Sequence, residues 1–442
     1  MTDNLQDLVE KVRPYLRQYL LDMGVEIIAK GNTDFFCCIH PDHPDKNPSN
    51  GFVKNTGDQQ FHCFSCCASG DILTAAAYLE NKPLYGIGFV RENLEYLLKR
   101  YDIDYTLNFT EEQLQTLKYE TIYEEAAKLL TVMDKDLGAL KYSTTVECVK
   151  RGWNPEFCKK IGVVTVKDYQ QFIDTLATNL KLTQQELEKA GIKPALFGPD
   201  YITITVRDHK GRVKGFVSRY LPWKKGSTIP KYYNTSIEDN PSYKKDQLSF
   251  CLDLAKKYNS LRLDIFEGYG SAIVGQQNNY YNCVAIGSTA FSEQHMEIIR
   301  ELGFQHINFV LDQDTTGSDM MEKYIEKFSG YSGLQVTITN LPFSDEDQKT
   351  AGQNDPDFYI RTYGINEYRK LKPEGVFEHM LKKHAPNLDP EANPVFTKNF
   401  AKQIIPLIIN EPDMLERSQM ISTLSKITGF EKESIREEIV RL

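Results

Sequence analysis

The chain has 442 residues, with 52 Lys and Arg against 61 Asp and Glu, a formal net charge of −9, and 41% hydrophobic residues. This composition excludes a disordered chain and supports packed cores in several domains. A mean hydropathy of −0.45 without a long apolar run excludes a membrane-spanning helix, and the mixed charges of residues 1–16 exclude a secretory leader, so a cytoplasmic protein is expected.

In chain order, a charged helix is predicted over 5–22, followed by short strands at 34–38, 50–54 and 59–63. Helices through 70–77 and 91–101 complete a compact unit of residues 1–105. A linker follows, ending in the capping run Thr110-Glu111-Glu112-Gln113. Residues 111–190 read as helical. Strands at 201–207 and 211–217 flank a turn at 208–210, and a loop is expected at 224–228. Four strands at 263–267, 282–286, 307–311 and 334–339, with helices at 292–302 and 317–328, form the pattern of a small parallel α/β unit. From residue 375 to 442 the chain reads as amphipathic helix, with Phe396, Phe400, Ile404 and Ile408 on one face. The expected domains are 1–105, 111–258, 259–372 and 373–442.

Five of the nine cysteines (Cys37, Cys38, Cys63, Cys66 and Cys67) fall within 31 residues. Without an export signal, such a cluster points to a metal and not to disulfides. Cys37-x-x-His40 and Cys63-x-x-Cys66 are two paired turns separated by a 22-residue loop, 41–62. Each turn brings two ligands to one ion, and together they offer zinc a closed, structural tetrahedron. Cys38 is the alternative to Cys37 and Cys67 to Cys66, with His43 and His62 nearby. Phe52, Lys54 and Phe61 suit stacking on single-stranded nucleic acid, and equally suit the core of a small domain.

A second chemistry is carried by carboxylates at predicted strand ends. Glu267 precedes Gly268 at the end of one strand, and Asp312 and Asp314 follow another. In a parallel sheet such side chains gather at the carboxyl edge, and Asp355 and Asp357 add two more. Hard oxygen donors of this kind favour Mg²⁺ or Mn²⁺ beside substrate phosphates, where the ions orient an attacking 3′-hydroxyl. A third feature is charge. Residues 207–257 hold 12 Lys and Arg against 5 Asp and Glu, a local +7 that leaves −16 for the rest of the chain. Interleaved with tyrosines, this segment reads as a polyanion track.

These motifs carry a family resemblance. Phe36-Cys37-Cys38-Ile39-His40-Pro41, Asn47-Pro48-Ser49 and Phe61-His62-Cys63-Phe64-Ser65-Cys66-Cys67-Ala68-Ser69-Gly70-Asp71 resemble the Cys-His-Cys-Cys zinc-binding domain of bacterial DnaG-type DNA primases. Glu267-Gly268-Tyr269, the segment 285–292 and Asp312-Gln313-Asp314 are similar to the Toprim domain of those enzymes, and Asp355-Pro356-Asp357 to their late acidic element. Residues 211–219 and 230–236 are similar to the basic motif of the primase core, and residues 142–164 to its N-terminal half. Two positions depart from the pattern: Ser271 stands where a carboxylate is usual and Gln313 where Gly is usual, which puts metal affinity or preference in doubt.

The resemblance implies an α+β multidomain fold: a small zinc-ribbon-like antiparallel sheet, a mixed α/β polymerase core containing a Toprim parallel-sheet unit, and a C-terminal helical bundle. It implies a primase that makes short RNA primers on single-stranded DNA from ribonucleoside triphosphates. Glu267, Asp312 and Asp314 are the expected catalytic residues. Those three with Asp355 and Asp357 are the expected magnesium or manganese ligands. Arg219, Lys231, Tyr232, Asn234 and Lys245 are the expected nucleic-acid and nucleotide contacts. The chain carries no P-loop, so a separate replicative helicase is the expected partner, and host cytoplasm is the expected location for a phage-encoded form. Two other readings share parts of this pattern, a Toprim nuclease or topoisomerase and a non-catalytic, zinc-dependent single-strand-binding replisome protein.

Overall fold

The computed structural model describes residues 5–48, 51–54, 59–66, 68–107, 109–137, 150–224, 226–258, 260–287, 291–313, 315–328, 334–344, 354–388, 391–411 and 413–441. The chain divides into two compact units, one of residues 1–150 and 154–244, the other of residues 151–153 and 245–442.

The first unit begins with helical residues Leu5–Val12 and Leu16–Asp22, separated by a 3-10 turn at Arg13–Tyr15. The single helix expected here is interrupted because Pro14 removes an amide donor and crowds the preceding turn. An antiparallel sheet follows: β1 (Ile28–Lys30), β2 (Thr33–Phe36), β3 (Gly51–Lys54), β4 (Phe61–Cys63) and β5 (Ser69–Gly70), paired in sequence order. Leu8, Leu16, Tyr19, Phe36, Phe61 and Ile72 form its core. Phe61 is therefore a packing residue and not a surface for bases, while the side chains of Phe52 and Lys54 lie outside the described residues. Asp71 caps the helix Ile72–Glu80 by accepting hydrogen bonds from the amides of Leu73 and Thr74.

The same unit carries the long helix Glu111–Leu137 and a second antiparallel sheet, β6 (Val163–Val164), β7 (Tyr201–Arg207), β8 (Val213–Tyr220) and β9 (Tyr232–Asn234). Phe172, Phe197 and Phe216 stack in its core. A buried ion network ties sheet to helix: Lys214 donates to Glu120 at 2.8 Å, and Arg207 and Arg212 lie 3.6 Å from Glu124 and Glu120. Arg212 also pairs with Asp208 at 2.7 Å. Part of the positive charge counted in the 207–257 segment is thus neutralised inside the unit and does not face a polyanion.

The second unit holds a five-stranded sheet in the order β11-β10-β12-β13-β14, with β10 (Arg262–Phe266), β11 (Cys283–Ala285), β12 (His306–Val310), β13 (Gln335–Ile338) and β14 (Glu374–Gly375). The first four are parallel and β14 runs against β13. Helices Glu293–Glu301 and Thr315–Phe328 match expectation, and Tyr269–Gln277 was not anticipated. Gly270, Ser271 and Gly275 depress its helix propensity. Gly275 is needed for packing, since a Cβ there would lie 2.5 Å from the sulfur of Cys283. Helices Val376–His384, Pro394–Asn410, Met414–Thr428 and Lys432–Arg441 end the unit. Phe400, Ile404 and Ile408 are buried as the periodicity predicts, whereas Phe396 is 41% exposed.

Candidate functional site

The Cys and His cluster forms where β2, β4 and their following turns meet. The ligand atoms of Cys38, His43, Cys63 and Cys66 all lie within 4.8 Å of one another. The Cys38 and Cys66 sulfurs are 3.6 Å apart, and the Cys63 sulfur is 3.8 Å from Nδ1 of His43. With Zn–S bonds near 2.3 Å, a tetrahedron requires ligand separations of about 3.5–3.8 Å, so the donor set fits zinc in chemistry and spacing.

Cys63 and Cys66 are gathered as expected, but Cys37 and His40 are not, and Cys38 and His43 stand in their place. Phe36 points into the core, so Cys37 falls on the far side of the extended chain and Cys38 returns to the near side. A turn in which the His43 amide donates to the His40 carbonyl swings His43 back. His40 instead accepts the Asp42 amide at Nδ1 and sets its ring edge-on to Tyr78. Cys67 lies outside the described residues.

Backbone amides prepare the sulfurs. The His40 amide donates to the Cys38 sulfur at 3.4 Å, and Asp45 braces the turn by accepting the amides of Cys38 and Asn47. Burial and the adjacent Cys63 and Cys66 sulfurs push the Cys38 thiol up to about 12, against the pull of the His40 amide. At Cys63 burial is outweighed by the amides of Cys66 and Ser65 and by the Cys38 and Cys66 side chains, and the thiol is held below its ordinary range. Three thiols so crowded ionise together only around a cation.

In the second unit Glu267 directly follows β10 and Asp312 follows β12 by two residues. The strands are parallel neighbours with Phe266 opposite Val310, so both carboxylates occupy one sheet edge. Asp314 lies outside the described residues. The Gln313 amide donates to the Asn354 carbonyl at 2.8 Å, and the Asn354 side-chain amide donates to the Gln313 carbonyl at 3.3 Å. This pair ties the Asp312 turn to the segment entering Asp355.

Asp355 caps the helix Pro356–Tyr363 by accepting the Phe358 amide at 2.6 Å, and burial with Asp357 beside it raises its carboxyl above the usual range. Asp357, one of the expected cation ligands, is engaged by two arginines. It is 1% exposed, and its carboxylate accepts from Arg151 at 2.9 Å and Arg361 at 3.0 Å. The buried Ser271 hydroxyl accepts the Asp357 amide at 3.2 Å. A position where a further acid was expected therefore supports this ion triad. Beside Asp312 a cavity of about 430 Å³ opens, with Asn340, Glu374, His379, Lys382 and Lys383 among its walls.

In the first unit, Arg219 on β8 pairs in register with Tyr232 on the edge strand β9. The Arg219 guanidinium lies 6.0 Å from the Tyr232 ring centre, and the Lys231 ammonium lies 5.8 Å from Tyr232 and 5.5 Å from Trp223. Asn234 accepts the Tyr243 hydroxyl at 3.4 Å. Lys245 opens a 3-10 turn in the second unit. Trp223 was missed in the sequence because it stands alone in a loop, outside the similar motif.

The fold and the strand-edge acids define a class, a zinc-module protein with a Toprim-type α/β unit, and the family profile described as Toprim-like matches residues 265–355. In sequence and in fold the chain is similar to the DnaG-type DNA primases. It is 29% identical over 388 residues to the DNA primase of Thermotoga maritima, covering 85% of this chain and 61% of that protein. It is 24% identical to the Salmonella typhimurium DNA primase, covering 95% and 71%. The chain spans 61% and 52% of the length of the Thermotoga and Deinococcus radiodurans primases. Among solved structures, the zinc-binding and RNA polymerase domains of the Aquifex aeolicus primase superpose with a TM-score of 0.61 at 20% identity, over 97% of this chain and 98% of that one. A DnaG primase catalytic domain bound to single-stranded DNA gives 0.54 at 20% identity, over 71% and 99%.

Proposed function

We propose that the chain is a DNA primase, a DNA-templated RNA polymerase that joins ribonucleoside triphosphates into short primers on single-stranded DNA. The observation that carries the reading is the placement of Glu267 and Asp312 at one edge of adjacent parallel strands, in a chain that also carries the zinc cluster. Glu267 and Asp312, with Asp314 two positions on in the sequence and Asp355 next to Asn354, are the residues that would hold Mg²⁺ or Mn²⁺. When bound, such ions neutralise the triphosphate and lower the barrier to 3′-hydroxyl attack on the α-phosphate. The protein's own contribution is positioning: a rigid sheet edge, a turn pinned by Asn354, and cations on other elements to hold the nucleic-acid backbone.

Arg219, Lys231, Tyr232 and Asn234 are assigned to the template strand and Lys245 to template or nucleotide. Zinc at Cys38, His43, Cys63 and Cys66 holds β2 to β4. The reaction places the protein in the cytoplasm beside a separate replicative helicase, and no helix among the described residues is long and apolar enough to cross a membrane. The test is to incubate the protein with single-stranded DNA, four ribonucleotides and Mg²⁺ or Mn²⁺, and to look for short RNA. Cleaved DNA instead of RNA would mark a Toprim nuclease.

A further inference from the structure

Trp223 lies in the eleven-residue loop 221–231, which contains Lys224, Lys225 and Lys231 and no acid. The loop's base is fixed. The Leu221 amide donates to the Asp200 carbonyl at 2.8 Å, and the Tyr220 amide to the Lys231 carbonyl at 3.0 Å. At its end the Lys231 ammonium stands over both the Trp223 and Tyr232 rings, and the Arg219 guanidinium on β8 stands over Tyr232 as well. The result is a series of cation–ring contacts, Arg219, Tyr232, Lys231, Trp223, that runs from β8 across the start of β9 into the loop. Cation and ring alternate along it, and Tyr232 is 36% exposed. Neither ring belongs to the apolar core of the unit.

Resting on the primase reading, we infer that Trp223 stacks on a base of the template and that this row makes the track selective for unpaired strand. A ring can meet a base face only where the base has left its duplex partner, while cations spaced between the rings meet successive phosphates. The ammonium over each ring holds it in place before the strand arrives, which reduces the ordering cost of binding. Arg207, Arg212 and Lys214, by contrast, face Glu120, Glu124 and Asp208, so the row at β9 is where the segment's charge meets aromatic surface.

The chain has two tryptophans, Trp223 and the buried Trp153, and both emit, so the part of an emission change that Trp223→Phe removes is the part that reports on Trp223. Titrating the full chain with an oligo-dT strand is expected to change the emission, and a blunt duplex of equal length is expected to leave it unchanged. Trp223→Phe should remove most of the change and keep most of the affinity. Trp223→Ala should weaken binding about fivefold or more, measured by anisotropy of labelled oligo-dT. An emission change in Trp223→Phe as large as in wild type, or wild-type affinity in Trp223→Ala, overturns the inference. Should Trp223→Ala fail to fold, as judged by far-ultraviolet dichroism, the emission of Trp223→Phe still decides. The two proposals fail separately: primers made by a protein whose Trp223→Ala variant binds normally would remove the stacking role alone. An emission change without any primers would remove the polymerase reading alone.

Discussion

The first zinc-ligand half holds two pairs of side chains, one and three positions apart, each pair competing for one corner of the cluster. The geometry chooses Cys38 over Cys37 and His43 over His40, and zinc content after purification tests the choice. Cys38→Ala and His43→Ala should lose most of the bound zinc, measured by atomic absorption, while Cys37→Ala and His40→Ala should retain it. Retention by Cys38→Ala would restore the other set. The pair was not separable by reading the sequence because adjacent cysteines differ only in which face of an extended strand they occupy, and that is fixed by Phe36 entering the core. The acid positions were legible for the opposite reason. Glu267 and Asp312 follow apolar runs whose length gives the strand end directly. Asp357 is engaged by Arg361, four residues on, and by Arg151, which is 206 residues away in the chain, and only the first of these partners leaves a local signal.

At the scale of elements, two contacts bear on stability. His295 is buried in the first turn of the helix Glu293–Glu301, where its Nδ1 meets the Ser292 hydroxyl at 2.8 Å and its Nε2 meets the Leu248 carbonyl at 3.2 Å. Burial lowers its pKa below 6.5. The folded form therefore stays neutral where the unfolded chain takes up a proton. The stability present above about pH 6.5 falls as the pH drops through the interval down to the lowered folded value. Urea midpoints at about pH 7.5 and about pH 5.5 should drop further for wild type than for His295→Asn. Equal drops would remove His295 from the account.

The second contact joins the zinc-bearing part of the first unit to the long helix. Gly86 has φ of +66°, a Cβ there would lie 2.1 Å from the Thr121 hydroxyl, and the Ile87 amide donates to that hydroxyl at 3.3 Å. Gly86→Ala is expected to cost about 2 kcal/mol from strain and overpacking. Thr121→Ala in the same chain should recover part of the loss in thermal midpoint. An unchanged midpoint in Gly86→Ala would contradict this packing. Elements with clean periodicity, such as β7 and the helix Glu293–Glu301, were readable in advance. The helix Tyr269–Gln277 was hidden because its glycines answer to packing, Gly275 against Cys283 on the sheet and Gly270 beside Trp153 and Arg151, and not to helix propensity.

For the whole molecule, the order zinc cluster, basic row and strand-edge acids matches a template-directed polymerase. The first compact unit carries the Cys and His cluster and the cation–aromatic row, and the second carries the strand-edge acids. Net charge of −9 does not oppose nucleic-acid binding, because attraction to phosphates depends on where cations are displayed and not on their sum.

The most direct measurement is RNA synthesis on single-stranded DNA by wild type and by Asp312→Ala, each checked for full zinc content. The account predicts short, template-dependent RNA from wild type in Mg²⁺ or Mn²⁺ and a loss of at least about a thousandfold in Asp312→Ala with zinc unchanged. Undiminished RNA from the variant, or none from a zinc-loaded wild type that still binds DNA, would contradict it.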